Sequence, residues 1–179
     1  MKSRLSATDI DKIETEAIVL LFFSNERPLK GATGLIDWRM NGSISRLISK
    51  GMISGEKGEA TLILPNRRIK SKKILMAGLG DSSRFGEDSL KDAAGAIIRQ
   101  LDKISIKNFA VAMPPLIESQ MSTKDGATTL LKQLVKTIEA DKLNGSQIFA
   151  TIAMEKESLK ETKVAIENLR KGMRGIETA

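Results

Sequence analysis

Cysteine and histidine are both absent from this chain of 179 residues. Without them the protein forms no disulfide, has no thiol nucleophile, holds no zinc ion through thiolate or imidazole, and lacks the usual general base at neutral pH. Any catalysis would depend on carboxylates, lysine or serine, and any bound metal would need oxygen ligands. No cluster of such residues stands out in the sequence. We therefore predict no catalytic residue, no metal and no cofactor.

Long apolar runs and aromatic residues are also scarce. The longest apolar run, Ala17 to Phe23, is far shorter than the roughly 20 residues of a membrane-spanning helix. Charged residues are spread through positions 2–16, where a signal peptide would have its apolar core. Aromatic residues make up only 3% of the chain, so the core must be aliphatic. We expect a cytoplasmic protein that does not contact a membrane.

Positive charge predominates, with a formal net charge of +7. A surplus of this sign permits attraction to nucleic acid but says nothing about the fold. Its densest segment is "NRRIKSKK", which contains Arg67, Arg68, Lys70, Lys72 and Lys73. These side chains have two interpretations, a contact for the phosphates of DNA or a solvated turn that protects neighbouring strands from aggregation. The segment contains no aromatic residue that could stack on bases, which favours the second interpretation.

Apolar periodicity predicts strands that alternate with helices. The predicted strands cover 17–23, 60–65, 73–78, 108–114 and 146–154, and the predicted helices cover 32–50 in two pieces broken near Asn41-Gly42, 90–104, 127–138 and 159–173. Ser89 with Asp92 and Ser158 with Glu161 resemble capping boxes at two helix starts. This alternation predicts one α/β domain over residues 1–179, with a mostly parallel mixed sheet and helices on both faces in three layers.

A Gly-Leu-Gly turn follows the third predicted strand. The turn contains Gly78, Leu79, Gly80 and Asp81 and leads into a helix. The dinucleotide fingerprint requires a third glycine where this chain has Ser83, and the Lys-Ser/Thr pair of a P-loop is missing. Two interpretations remain: amides at the helix start that accept a phosphate, or a tight turn that needs glycine for positive φ. The structural interpretation is favoured.

The order of these pieces resembles the N-terminal domain of the cytosolic leucyl aminopeptidase family. The similarity extends from about Ala17 through the last helix and includes a Gly-x-x-Gly-Glu turn, a Leu-rich strand that ends in Pro, and the Gly-Leu-Gly turn. Its residues are Glu59, Pro65, Gly78, Leu79, Gly80, Ala93, Ala94 and Gly95. The resemblance implies a macro-like α/β domain that packs at the edges of a hexamer and performs no chemistry. The metal site of the family belongs to a separate C-terminal domain, whose Asn-Thr-Asp-Ala-Glu-Gly-Arg motif does not occur here.

The resemblance thus implies a non-catalytic assembly or regulatory domain. Its expected partners are a second copy of the chain or an aminopeptidase catalytic chain. Two alternatives stay open. A member of the family binds DNA partly through this domain, which would give the basic segment 67–73 a role. Related macro domains bind ADP-ribose, which would make residues 78–81 a site for a nucleotide metabolite, although the asparagines of the macro motif are replaced here by apolar residues in the stretch 16–23.

Overall fold

In a computed structural model, residues 1–65, 67–116, 121–173 and 175–178 are described. The strands are β1 (Lys2–Ser6), β2 (Ala17–Phe22), β3 (Ala60–Ile63), β4 (Lys73–Gly78), β5 (Asn108–Ala112), β6 (Phe149–Ala153) and β7 (Glu177–Thr178). The helices are α1 (Gly31–Arg39), α2 (Ser43–Ser49), α3 (Glu87–Lys103), α4 (Thr123–Ala140) and α5 (Lys156–Gly172). No helix in the described residues is long and apolar enough to cross a membrane.

The seven strands found in the described residues form one sheet in the order β3-β4-β2-β5-β6-β1-β7. β3 is antiparallel to β4, and every other neighbouring pair is parallel. β2 reads as a continuous apolar run because it lies between two strands and is buried on both faces along its whole length. The mostly parallel mixed sheet predicted from the sequence is confirmed.

Helices cover both faces of the sheet. One apolar cluster joins α3, α4 and α5 to the side chains of alternate strand residues such as Val19 and Val111. A second, smaller cluster joins α1 and α2 to the opposite face through residues such as Leu20 and Met76. The period of two along β2 therefore places one half of its side chains in each cluster. This arrangement confirms the three-layer α/β fold.

The helix boundaries differ from the predicted capping boxes. α3 begins at Glu87 after Gly86, so that Ser89 lies inside the helix and is fully buried. α5 begins at Lys156 after Glu155, and Ser158 lies in its first turn. Both capping-box assignments were wrong, because each helix begins about one turn earlier than predicted. Acidic residues lie in this added turn, where the positive end of the helix dipole stabilises negative side chains. The predicted break between α1 and α2 is confirmed, since Asn41 and Gly42 have φ values of 58° and 72°.

Candidate functional site

A cleft of about 840 Å³ opens at the carboxyl ends of the parallel strands. Ala112 and Ala153, the last residues of β5 and β6, lie at its base, and Ala7 follows the end of β1. β2 leads to α1 on one face of the sheet, whereas its neighbour β5 leads to α4 on the other face. Adjacent strands whose connections leave on opposite faces create a crevice at their carboxyl ends, the usual ligand position in α/β sheets. The topology therefore accounts for the position of the cleft.

Three helices begin at this cleft. Gly31 starts α1, Thr123 starts α4 and Lys156 starts α5, and all three residues line it. Free amides at helix starts favour an anionic or strongly polar ligand group. At α4 the hydroxyl of Ser122 already accepts a hydrogen bond from the Asp125 amide at 3.1 Å. Glu155, before α5, makes no such side-chain cap.

The rest of the cleft is apolar with an acidic rim. Its apolar side chains include those of Ile10, Leu35, Met113 and Met154. Its charged side chains are those of Asp9, Glu155, Lys156 and Glu157. The Asp9 carboxylate accepts a hydrogen bond from the Lys12 ammonium at 2.6 Å, and this bond raises the pKa of Lys12. The cleft combines an apolar base with polar groups at its edge, which is typical of small-molecule sites.

The Gly-Leu-Gly turn is engaged by the protein itself. The amides of Gly78, Leu79 and Gly80 donate to the carbonyls of Glu59, Phe22 and Gly55 at 2.9–3.0 Å. A Cβ atom on Gly78 would lie 2.1 Å from the Glu56 carbonyl oxygen, so the two segments pack backbone to backbone. Gly80 has a φ of 77°, which favours glycine. The glycines are therefore explained by close packing and positive φ.

Asp81, the last residue of the predicted phosphate site, holds the turn that follows. Its carboxylate accepts hydrogen bonds from the amide and hydroxyl of Ser83 at 2.8 and 2.7 Å and from the Asn25 side chain at 3.1 Å. The Ser83 bonds lower the pKa of Asp81. A negative carboxylate in this position repels a phosphate.

Glu59 organises the segment that packs on the turn. Burial would raise the pKa of its carboxylate, but hydrogen bonds from the Ser54 hydroxyl and the Gly55 and Ser54 amides outweigh burial and lower it. The shortest of these bonds are 2.6 Å. Glu59 thereby closes the loop 54–59 whose Gly55 contacts Gly80. The Gly-x-x-Gly-Glu motif is thus a structural device in this chain.

The basic segment lies at the opposite end of the sheet, in the connection between β3 and β4. Arg67, Arg68, Lys70 and Lys72 are exposed, Lys73 is half-buried, and the Lys70 ammonium lies 3.2 Å from the Glu14 carboxylate. The exposed Leu64 precedes the segment. Glu16, the acidic residue of the macro-like stretch, lies at this same end and accepts hydrogen bonds from the Lys107 and Asn108 amides at 3.1 and 2.8 Å. The structure therefore separates the basic segment from the cleft.

Sequence patterns did not reveal the cleft. Its walls come from four separate connections, and the order of the strands is what brings them together. The Pro114-Pro115 pair after β5 was a local signal for an irregular connection, since proline cannot continue a strand ladder. Among the described residues, no group of three or more acidic side chains is arranged to hold a metal ion.

Comparisons with known proteins agree with this architecture. Residues 18–141 match the model of the N-terminal domain of the cytosol aminopeptidase family. A probable cytosol aminopeptidase of Sulfurihydrogenibium sp. is 27% identical over 111 residues, which are 62% of this chain and 22% of that protein. A second one, from Pseudomonas syringae pv. tomato, is 25% identical over 118 residues, which are 66% of this chain and 24% of that protein. The chain thus spans about a quarter of the length of these relatives.

Solved structures show the same fold. A tomato leucine aminopeptidase variant superposes with a TM-score of 0.67 at 17% identity, over 93% of this chain and 35% of that one. A Trypanosoma brucei macrodomain in complex with ADP superposes with a TM-score of 0.72 at 13% identity, over 92% of this chain and 69% of that one. The fold is therefore macrodomain-like. With residues 18–141 matched to a family model, the chain belongs to the cytosol aminopeptidase family through its N-terminal domain, which is not the catalytic domain.

Proposed function

We propose that this chain is a non-catalytic domain that acts by association, with a second copy of itself or with an aminopeptidase catalytic chain in the cytosol. The observation that carries the proposal is the open sheet edge at β3. β3 pairs with β4 on one side, and no described strand pairs with its other side. An unpaired edge is a template for a strand from another chain.

The geometry of β3 suits such pairing. The Glu59 carbonyl accepts a hydrogen bond from the Gly78 amide at 3.0 Å, and hydrogen-bonded pairs alternate along an antiparallel ladder. With the register Ala60↔Ala77 and Leu62↔Leu75, the backbone groups of Ala60 and Leu62 face the open side. Leu64, which directly follows β3, is 74% exposed and adds apolar surface beside the edge.

Co-purification with a cytosol aminopeptidase catalytic chain, together with chemical cross-linking of the chain alone, tests this proposal. We expect a complex or a cross-linked oligomer that is lost in Leu62→Pro, because proline removes an outward N–H while the bonds to β4 are made by its neighbours. Leu64→Lys should weaken it, whereas Val164→Lys, at another exposed apolar position that lies on α5, should not. Circular dichroism confirms that each variant is folded. Equal association by all three variants and the wild type would contradict the role of the β3 edge.

A second candidate function is the binding of a nucleotide-type ligand in the cleft. It is favoured by the 840 Å³ volume, by the three helix starts, and by the ADP held by the Trypanosoma brucei macrodomain. Phosphate oxygens would lie at the helix starts, and the acidic rim would accept hydrogen bonds from amino groups of a base. The apolar base of the cleft suits a planar ring.

Calorimetric titration with ADP and with ADP-ribose tests this candidate. We expect binding that Ala32→Phe abolishes, since Ala32 lines the cleft at the first turn of α1. Ala140→Phe, at an exposed position near the end of α4, is the matched control and should bind like the wild type. Absence of heat with the wild type, or equal binding by the Ala32→Phe variant, would remove this candidate and leave the proposed association untouched.

A further inference from the structure

Positive charge also predominates in the segment that forms α1, α2 and their flanks. Residues 27–52 contain five cationic residues and a single acidic one, a net charge of +4. The cationic residues are Arg27, Lys30, Arg39, Arg46 and Lys50. The acidic residue, Asp37, is only 9% exposed, and its carboxylate accepts hydrogen bonds from the Ile44 and Ser45 amides. The exposed charge of this segment is therefore uniformly positive.

Trp38, the only tryptophan of the chain, lies within this positive surface. Its side chain is 70% exposed, which is unusual for so large an apolar group. The Arg39 guanidinium lies 5.2 Å from the centre of its ring, and Arg39 is itself held by the buried Asp11 carboxylate at 3.1 Å. Cation–π contact and the buried ion pair together support the indole at the surface. Trp38 is thus a pre-positioned aromatic platform.

Two further cations, Arg46 and Lys50, lie on α2 and directly after its end. The Arg46 guanidinium donates to the Asn41 carbonyl at 2.7 Å and to the Ser43 hydroxyl at 3.0 Å, and the Asn41 amide donates to the Trp38 carbonyl at 3.0 Å. The Arg46 guanidinium therefore lies beside Asn41, whose own amide contacts the Trp38 carbonyl, and it still has N–H groups to donate. In the described part of the chain the ion pairs include neither Arg46 nor Lys50. Both charges are available to an anionic partner.

We propose that the surface formed by Trp38, Arg46 and Lys50 binds single-stranded nucleic acid, with a base stacked on Trp38 and phosphates held by the two cations. An exposed aromatic ring among cations is the combination by which proteins hold single strands with little sequence preference. A duplex hides the faces of its bases, so the ring gives a single strand the advantage. A purely acidic peptide would use the charges but leave the indole without a stacking partner.

This site differs from the basic segment 67–73, which has cations but no aromatic residue. It also differs from the cleft, whose rim is acidic. α1 begins at the cleft with Gly31 and carries Trp38 seven residues later, about 10 Å along the helix axis. The proposed surface is therefore a neighbour of the cleft, and its partner need not enter it.

Fluorescence anisotropy with a labelled oligothymidylate, together with quenching of Trp38 emission by the unlabelled strand, tests the proposal. We expect quenching on binding, an affinity loss of about tenfold or more in Trp38→Leu, and near wild-type affinity in Trp38→Phe. Arg46→Gln with Lys50→Gln should lower the slope of log affinity against log salt by about 1.4, since each phosphate contact contributes about 0.7 for single strands. Lys160→Gln with Lys163→Gln, two exposed cations of α5, is the charge-matched control and should change the slope little.

Three results would overturn the proposal. One is an affinity that is equal in the wild type and Trp38→Leu. Another is a matched duplex or poly-glutamate that binds as tightly as the oligothymidylate, because plain charge attraction would then explain the binding. The third is binding that disappears when residues 67–73 are neutralised but persists when Trp38, Arg46 and Lys50 are replaced.

Discussion

Replacement of Gly78 by alanine tests the explanation of the Gly-Leu-Gly turn most sharply. The added Cβ would lie 2.1 Å from the Glu56 carbonyl oxygen and 2.5 Å from the Gly55 carbonyl carbon, both of them backbone atoms that cannot rotate away. Relief of this overlap costs about 1–3 kcal/mol. It also pulls apart the Gly78–Glu59 and Gly80–Gly55 hydrogen bonds, which are worth about 1 kcal/mol each. We expect a total loss of about 3–5 kcal/mol in the free energy of unfolding.

Urea unfolding followed by circular dichroism at about 222 nm measures this loss. We expect the midpoint to fall by about 1.5–2.5 M at an m-value of about 2 kcal/mol/M. Circular dichroism is preferable to fluorescence because Trp38 is already exposed in the folded protein. Gly86→Ala is the matched control, since a Cβ there meets nothing within 4 Å and its φ of −168° is ordinary extended backbone. If Gly78→Ala and Gly86→Ala unfold at the same urea concentration, the packing explanation of the turn is refuted.

Further predictions concern polar side chains that hold loops and helix starts. The folded state lowers the pKa of Glu59, so the charged carboxylate stabilises the protein at pH values above the pKa of the unfolded state. The wild type should therefore be more stable than Glu59→Gln at neutral pH, and this difference should shrink as the pH falls below about 4. Urea titrations at several pH values would measure the difference. Asp37→Ala should lower the free energy of unfolding by about 2 kcal/mol, because it leaves the Ile44 and Ser45 amides at the start of α2 without an acceptor. Amide hydrogen exchange in α2 should become faster, and unchanged exchange would refute this capping role. Ser122→Ala should lower the free energy of unfolding by about 1 kcal/mol because α4 loses its N-terminal cap, whereas Ser122→Asp should retain most of the stability. Equal losses in the two variants would contradict the capping role.

The layers of the fold could be predicted from apolar periodicity alone. β2 was recognisable because it is continuously apolar, and α3 and α4 because their apolar residues recur at helical spacing. β1 was missed because its sequence, "KSRLS", contains one apolar residue; it forms through parallel pairing with β6, a contact distant in sequence. The two-residue β7 is likewise held by β1 and has no local signature.

The functional surfaces were less accessible to sequence reasoning. The Gly-Leu-Gly motif drew attention, but the amides of Gly78 and Gly80 donate to the loop that Glu59 closes. The sequence showed Glu59 only as part of a motif and not its role in that loop. The cleft depends on the strand order and so has no local pattern. The exposure of Trp38 could not be predicted, because a tryptophan within a helical segment is more often buried. Tertiary placement, and not residue type, distinguishes these surfaces.

Static light scattering on the purified chain tests the central claim, that the protein is a non-catalytic domain that acts by association. The molar mass should be measured for the chain over a dilution series and for its mixture with a cytosol aminopeptidase catalytic chain, with leucyl-peptide hydrolysis followed in the same fractions. We predict a mass above the 19.5 kDa of one chain in at least one of these samples, and hydrolysis only in fractions that contain the catalytic chain. A mass of one chain in every sample, or hydrolysis by the chain alone, would contradict the account.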